Sequence, residues 1–271
     1  MNGPIQEAFK TVDGTTLHLH IFRPDTHTEE NAHPAIVFFF CGGWRGFDYT
    51  RLFPRSAYLA SRGMVCLSAE VRVAPVHGTP AEACVIDAKS AIRYVRTNAE
   101  VLGIDPNRIA AGGGSAAGCV TACRGVVTGF EEAGEDLSIS SRPDAMVLFN
   151  PRLDTVNDRG VELFGSLKKA QPLSPVHRVK SGNPPSLIMH GTADKRLDVD
   201  HMRRFEKAMQ DAGNRCDLRL YEGAGHGFFN FSDGNNPWFI ETLQDTDQFF
   251  VSLGYLEGTE RVASFDFSTF Y

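Results

Sequence analysis

The sequence predicts an α/β fold, a mostly parallel central sheet of about eight strands with helices on both faces. Three observations carry this expectation. Short runs that are apolar at every position, such as Ala35–Phe40, read as strands buried on both sides. Between such runs lie longer segments with apolar residues at helical spacing, and the two kinds alternate along most of the chain. The length of 271 residues, 42% of them hydrophobic, suits one domain with a large core, so residues 1–271 are read as a single α/β domain.

The chain opens on a β-hairpin, Glu7–Val12 and Thr15–Phe22, because Asp13-Gly14 supplies the positive φ of a tight turn between β-prone flanks. In the second strand Leu17, Leu19 and Ile21 share one face and His18 and His20 the other, which predicts a half-exposed strand with both histidines on the wet side. Ala35–Phe40 is the next strand and is broken by Cys41-Gly-Gly-Trp44. Leu52–Arg62 is a short helix and Met64–Ala69 a further strand. Pro80–Val101 carries Ala83, Ile86, Ala91 and Val95 at helical spacing, with Gly103 after its end. Strands at Arg108–Gly112, Ala145–Phe149, Ser186–His190 and Cys216–Tyr221 then alternate with helices at Ser115–Val127, Asp200–Ala212 and Pro237–Leu253. Ser138–Pro143 reads as a loop, and only about one short helix, around Val161–Ala170, falls between the strands at Ala145 and Ser186. The aromatic tail Ser264–Tyr271 is expected to pack on its own domain, with a homodimer contact as the alternative.

Bulk properties exclude several function classes. A formal charge of −6 with scattered basic residues offers no footprint for nucleic acid. Apolar runs fall far short of the roughly 20 residues of a membrane span, and the N-terminus lacks a basic-then-apolar leader pattern, so a cytoplasmic location without a membrane partner is expected. The cysteines sit in apolar segments without the spacing of a disulfide scaffold. Cys119 and Cys123, four apart on a helix, have no further ligand near them and read as core packing. No metal and no other cofactor is implied.

Chemistry concentrates where strands end. The strand before Gly112-Gly-Gly-Ser-Ala-Ala-Gly118 runs through that turn directly into a helix, the context of a nucleophile elbow, and Ser115 is its candidate nucleophile. Small neighbours are needed because the turn is strained and wedged between strand and helix. The N–H of Ala116 at the helix start lies where negative charge develops during attack. A phosphate cradle is the rival reading, but the turn lies mid-chain and no Lys-Ser/Thr follows it.

A serine hydroxyl needs a histidine to take its proton, and the ring needs a carboxylate to fix its tautomer. His226, in Glu222-Gly-Ala-Gly-His-Gly-Phe228, follows the last strand and is the expected base. Asp194, in His190-Gly-Thr-Ala-Asp194, follows the preceding strand and is the expected acid. Asp198 and Asp200 are better placed as helix caps, and Asp154 is the reserve acid. Cys41-Gly-Gly-Trp44 is the expected second source of oxyanion donors, through the backbone of Gly42, Gly43 and Trp44 beside that of Ala116.

At these residues the chain resembles the α/β-hydrolase superfamily over nearly its whole length, and within it the acetyl-esterase, hormone-sensitive lipase-like and dienelactone hydrolase-like branches. Cys41-Gly-Gly-Trp44 stands in the place of the family's His-Gly-Gly-Gly segment, and Gly113-Gly-Ser-Ala-Ala-Gly118 in that of Gly-Asp-Ser-Ala-Gly-Gly. Three departures stand out: Cys41 replaces a histidine, Trp44 a glycine, and Ala117 the last glycine of G-x-S-x-G. The resemblance implies the α/β-hydrolase fold with a minimal cap. It also implies a serine carboxylesterase acting through an acyl-enzyme on short, acetyl-type esters, since no segment is long enough for a deep acyl tunnel. Trp44, Phe47, Tyr49, Phe228 and Phe229 flank the catalytic loops and are expected pocket residues that could stack on an acetylated carbohydrate. The alternatives are a lactonase, dienelactone hydrolase-like enzyme or peptidase with the same triad, and a non-catalytic binding protein of this fold.

Overall fold

The computed structural model describes residues 3–28, 31–232 and 236–270. Its strands are β1 (Ile5–Val12), β2 (Thr15–Phe22), β3 (His33–Phe39), β4 (Val65–Ala69), β5 (Ile104–Gly114), β6 (Ala145–Phe149), β7 (Ser186–Gly191) and β8 (Cys216–Tyr221). They form one sheet in the order β1-β2-β4-β3-β5-β6-β7-β8. The β1/β2 and β2/β4 pairs are antiparallel and every later pair is parallel. Asp13 and Gly14 both have positive φ, 50° and 75°, as the hairpin turn requires. The helices are α1 (Phe53–Ser61), α2 (Ala74–His77), α3 (Ala83–Thr97), α4 (Ala116–Val126), α5 (Asp158–Phe164), α6 (Leu167–Ala170), α7 (Val199–Asp211) and α8 (Pro237–Ser252).

Period-2 alternation divides the core between the two faces of the sheet. Ala35, Val37 and Phe39 of β3 point to the side covered by α3, α4 and α7, where Ala88, Val120 and Phe205 meet them in one apolar cluster. Ile36 and Phe38 point to the other side, covered by α1 and α8 through Tyr58, Leu243 and Phe250. Crossover helices on both faces bury both sides of β3, which is why that run is apolar throughout. Among the described residues no helix is long and apolar enough to cross a membrane.

The structure departs from the sequence reading at five places. Strand β5 does not stop at Gly112: Gly112, Gly113 and Gly114 stay in the ladder opposite Phe38, Phe39 and Phe149. The Phe38 and Phe229 rings fill the space beside Gly112 and Gly114, and the Ala117 backbone packs on Gly113, so these glycines extend the strand instead of breaking it. It also starts earlier, at Ile104, across a register shift that accommodates Pro106. The histidines of β2 do not both lie on a wet face: Tyr49 and Phe53 pack over the His20 ring, while His18 is half-buried. His20 is buried, stacks on Tyr49 at 4.0 Å and lies 3.1 Å from Glu70 Oε1, and the His18 ring lies 3.1 Å from Glu70 Oε2. Burial works to raise the Glu70 pKa, but the hydrogen bonds from His20 and His18 outweigh it and hold the carboxyl below the ordinary glutamate range. The expected single helix near Val161–Ala170 is two, α5 and α6, split at Gly165 with φ 83°. Helix α2 follows the buried residues Val71 and Val73 and has no separate signal in the sequence reading.

The tail folds back on its own chain. Phe265 meets Tyr58 edge-on at 5.6 Å and Phe267 meets Phe239 at 5.2 Å; Tyr271 lies outside the described residues. All six cysteines are buried and free, and the Sγ atoms of Cys119 and Cys123 both lie 3.6 Å from the Leu173 carbonyl oxygen, inside the core.

Candidate active site

Parallel strands deliver their following loops to one edge of the sheet, and the chemistry-bearing residues of this chain gather there. Ser115 follows β5, Asp194 follows β7, His226 follows β8 and the Cys41–Trp44 turn follows β3.

The Ser115 backbone is strained, with φ 54° and ψ −115°, a conformation that costs on the order of 1–3 kcal/mol for a non-glycine residue. Its surroundings hold it there. The Ser115 N–H donates to the Phe149 carbonyl at 2.9 Å, and the Ser115 carbonyl accepts from Arg152 N–H and from Cys119 N–H, both at 3.1 Å. The small residues of the turn have distinct causes. A Cβ on Gly113 would lie 2.8 Å from the Ala117 carbonyl oxygen, and one on Gly118 2.7 Å from Pro151 Cβ. The strand–helix approach is therefore closed at Gly113 rather than at position 117, which is why Ala117 is tolerated there.

His226 Nε2 lies 3.0 Å from Ser115 Oγ and His226 Nδ1 lies 2.8 Å from Asp194 Oδ2. The Asp194 carboxylate is enclosed, with 0% of its side chain exposed. Its Oδ1 accepts from the N–H groups of Arg196 at 2.8 Å and Leu197 at 3.1 Å, leaving Oδ2 for the ring. Nδ1 therefore carries the hydrogen that faces Asp194, and Nε2 is left as the acceptor facing the serine. The decoy acids lie elsewhere: Asp198 caps α7 through the Asp200 N–H, and Asp154 accepts from the Val156 N–H and pairs with Arg204.

Two residues that the sequence reading did not single out brace this arrangement. Asn150 follows β6, is fully buried, has φ 31°, and accepts the Gly227 N–H at 3.4 Å through Oδ1. Its Nδ2 lies 3.5 Å from His226 Nδ1, a contact rather than a second bond, because the Nδ1 hydrogen points to Asp194. His190, buried at the end of β7, donates from Nε2 to the Leu197 carbonyl at 3.1 Å and so ties the two ends of the acid loop. Burial pushes its pKa below the ordinary histidine value, which keeps that ring neutral. The only sequence signal for Asn150 is a polar residue closing an apolar strand at the functional edge.

The glycine turn supplies fewer donors than the sequence suggests. Trp44 N–H donates to the Cys41 carbonyl at 2.7 Å and is occupied. Gly42 does not line the cavity at Ser115; its carbonyl accepts from Arg45 and Gly46 N–H, and its α-carbon faces the Phe40 ring. Gly43 does line it, with φ 62°. Consecutive positive φ at Gly43 and Trp44 turn the chain so sharply that the Trp44 amide points back into the turn. The N–H groups of Gly43 and Ala116 have no partner among the described residues.

Around these groups lies a cavity of about 590 Å³. Of the five expected pocket rings only Trp44 lines it, with its indole edge-on to Phe164 at 5.7 Å. Phe228 and Phe229 turn down into the α1/α8 core, where Phe229 stacks on Phe149 at 4.7 Å and Phe228 lies against Tyr221 at 5.0 Å. Tyr49 is stacked on His20, and Phe47 packs edge-on to His77 at 5.2 Å. Sequence proximity to a candidate catalytic residue did not decide which way these rings point; core demand did. Leu163 of α5 joins Trp44 on the apolar wall, and Arg152, Arg159, Arg196 and His201 form the rest with Asn157. The latter converge from separate loops and helices and carry no shared sequence signal.

Comparison with known proteins agrees with the fold. The BD-FAE family model matches residues 19–149, and the model described as the prolyl oligopeptidase family matches residues 158–250. Among solved structures, the apo form of Thermogutta terrifontis esterase 2 is 41% identical with a TM-score of 0.91, covering 96% of this chain and 98% of that one. Esterase LipC of Mycobacterium tuberculosis is 30% identical over 226 residues, 72% of this chain and 53% of the relative. An acetylxylan esterase of Xylanibacter ruminicola is 27% identical over 182 residues, 62% of this chain and 35% of the relative. The chain thus spans about half the length of the first curated relatives it matches. With a fold and sequence shared almost end to end with a solved esterase, and a serine elbow on the fifth strand of the sheet, the chain belongs to the α/β-hydrolase family of serine esterases.

Proposed function

We propose that this chain is a serine carboxylesterase that hydrolyses short-chain, acetyl-type esters, with Ser115 as nucleophile, His226 as base and Asp194 as its orienting acid. The observation that carries the reading is the pair of contacts at one imidazole, 3.0 Å to the Ser115 hydroxyl and 2.8 Å to a fully enclosed carboxylate. The chemistry follows from that geometry. Ser115 Oγ attacks the ester carbonyl while its proton passes to His226 Nε2, and Asp194 stabilises the resulting imidazolium. Negative charge on the former carbonyl oxygen meets the N–H groups of Gly43 and Ala116, the latter at the start of α4. Imidazolium returns its proton to the leaving alcohol, and water repeats the sequence on the acyl-enzyme.

Short acyl groups are supported by the modest cavity and by the Thermogutta esterase 2 structures described as propionate bound and butyrate bound. Deacetylation of carbohydrate draws on the acetylxylan esterase relative, while the ring platform expected for a sugar reduces to Trp44. A cytoplasmic location is supported by the six free, buried cysteines. The test is turnover of 4-nitrophenyl acetate by the wild type and by Ser115→Ala. We expect Ser115→Ala to lose about 10⁴-fold or more in kcat. The same esterase 2 is also described as phosphorylated by paraoxon, so paraoxon should inactivate the wild type here and add a phosphoryl group on the Ser115 peptide. Equal turnover by Ser115→Ala, or labelling at another residue, refutes the assignment.

A further inference from the structure

The charge of the catalytic cavity is opposite to that of the protein. The chain has a formal charge of −6, yet Arg152, Arg159, Arg196 and His201 line the space beside Ser115 and no carboxylate does. Asp194, which binds His226, has 0% of its side chain exposed. Arg159 is paired with Glu162, but the guanidinium groups of Arg152 and Arg196 have no hydrogen bond or ion pair among the described residues. Arg62 and Arg72 are held by carboxylates, and the buried Arg55 and Arg124, which have none among the described residues, lie in the core over the Phe149 and Phe39 rings rather than in a cavity.

Both free arginines are anchored to the catalytic groups through their backbones. The Arg152 N–H donates to the Ser115 carbonyl at 3.1 Å, and the Arg196 N–H donates to Asp194 Oδ1 at 2.8 Å. Their side chains therefore start from fixed points, one beside the nucleophile and one on the acid loop. Arg152 is half-buried, and desolvation pushes its pKa below the ordinary arginine value although the charges of Asp194 and Asp154 act to raise it; neither carboxylate bonds its guanidinium. Trp44 and Leu163 supply an apolar surface in the same cavity. A guanidinium fork matches a carboxylate bidentately, and a cationic cleft on an acidic protein draws small anions inward.

We propose that the ester taken by Ser115 carries a free carboxylate, held by Arg152 with Arg196 beside it, while its apolar part lies on Trp44 and Leu163. This rests on the esterase reading above and narrows its substrate class to acidic esters. The carboxylate could belong to the acyl half, as in a dicarboxylic monoester, or to the alcohol half, as in the acetyl ester of a hydroxy acid; matched substrates separate the two sources.

The first pair is mono-4-nitrophenyl adipate and its methyl ester, which differ only by a charge on the acyl half. The second is 4-acetoxybenzoate and its methyl ester, which differ by a charge on the leaving half. For a protein of net negative charge without a cationic site, kcat/KM for the acid should not exceed that for its neutral twin. We expect the wild type to favour the acid of one pair by about tenfold or more, as one hydrogen bond to a charged group gives, and that pair identifies the half carrying the carboxylate. Arg152→Met should bring this ratio close to one, and Arg196→Met should lower it less; a ratio taken within one variant is insensitive to general loss of activity. Wild-type ratios at or below one in both pairs, with Ser115-dependent turnover of 4-nitrophenyl acetate intact, overturn the acidic-ester inference and leave the esterase reading standing. A preference unchanged in both arginine variants overturns their assignment. Absence of Ser115-dependent turnover on all five esters overturns the esterase reading and this inference with it.

Discussion

Replacing Asp194 by asparagine keeps the size and shape of the group but changes which of its atoms can donate. In the wild type, Oδ1 accepts two backbone N–H groups at 2.8 and 3.1 Å and Oδ2 accepts the His226 Nδ1 hydrogen at 2.8 Å, in a site with no exposed carboxylate surface. The amide oxygen of asparagine will keep the Oδ1 position. The inverted amide would set its NH₂ against the backbone N–H donors of Arg196 and Leu197, and losing each bond on this enclosed side chain costs about 1 kcal/mol or more. Even the lower bound, about 2 kcal/mol for the two, holds the inverted form to roughly 3%. The NH₂ therefore faces His226 Nδ1, which must accept, and the ring hydrogen moves to Nε2. That is the atom required to take the serine proton, so the base is blocked although no contact is lost. The expected loss in kcat is about 10⁴-fold, or ~5.4 kcal/mol of transition-state stabilisation. The assay is steady-state hydrolysis of 4-nitrophenyl acetate beside a thermal melt. Because the acid loop keeps both backbone bonds, the melting temperature should change by no more than a few degrees. Asp194→Asn retaining more than about a tenth of the wild-type kcat would refute the tautomer argument. A large fall in melting temperature would instead place the loss in folding.

Three further outcomes follow from the packing. Asp247 is fully buried and binds Arg62 Nε at 2.7 Å and the Tyr58 hydroxyl at 2.7 Å, so Asp247→Ala strands a buried guanidinium. It should destabilise by about 3–5 kcal/mol in urea unfolding; a loss below about 1 kcal/mol would show that the Glu257 carbonyl, which Arg62 also reaches at 2.9 Å, suffices as its partner. A Cβ on Gly114 would approach Phe229 Cε1 to 2.8 Å and Cζ more closely, while that ring is stacked on Phe149 and its carbonyl accepts from Arg55 at 2.5 Å. Gly114→Ala should destabilise by about 1–3 kcal/mol and also lower kcat, since Phe229 lies three residues from His226; a fully stable, fully active variant would mean that the ring moves freely. Glu70 has a folded pKa below its unfolded value of about 4.3, so its stabilising contribution is present above that pH and is lost as pH falls through the folded value. The difference in melting temperature between wild type and Glu70→Gln should accordingly shrink on acidification below about pH 4.3; a constant difference would remove the linkage.

What the sequence by itself determined were the features with a local or periodic cause. Apolar runs and helical spacing follow from which faces must be buried, so the α/β alternation and the bounds of strands such as Ala145–Phe149 and Cys216–Tyr221 were legible. The elbow at Ser115 was legible because a strained turn admits few residue types, and the loops carrying Asp194 and His226 because each directly follows a strand. Tertiary structure decided what depends on neighbours distant in the chain. Glycines at 112–114 read as a break until Phe38, Phe39 and Phe149 on adjacent strands are seen to hold them in the ladder. His20 looks exposed by alternation but becomes interior because Tyr49 and Phe53, distant in the chain, pack over it and Glu70 binds its ring. The Trp44 amide and the rings of Phe228 and Phe229 lie close to the chemistry in sequence. One is occupied by its own turn and the others belong to the opposite core. The arginine wall is the extreme case: Arg152, Arg159 and Arg196 are scattered along the chain. Only the convergence of the β6 and β7 loops with α5 makes them one surface, because charge acts through space and not along sequence.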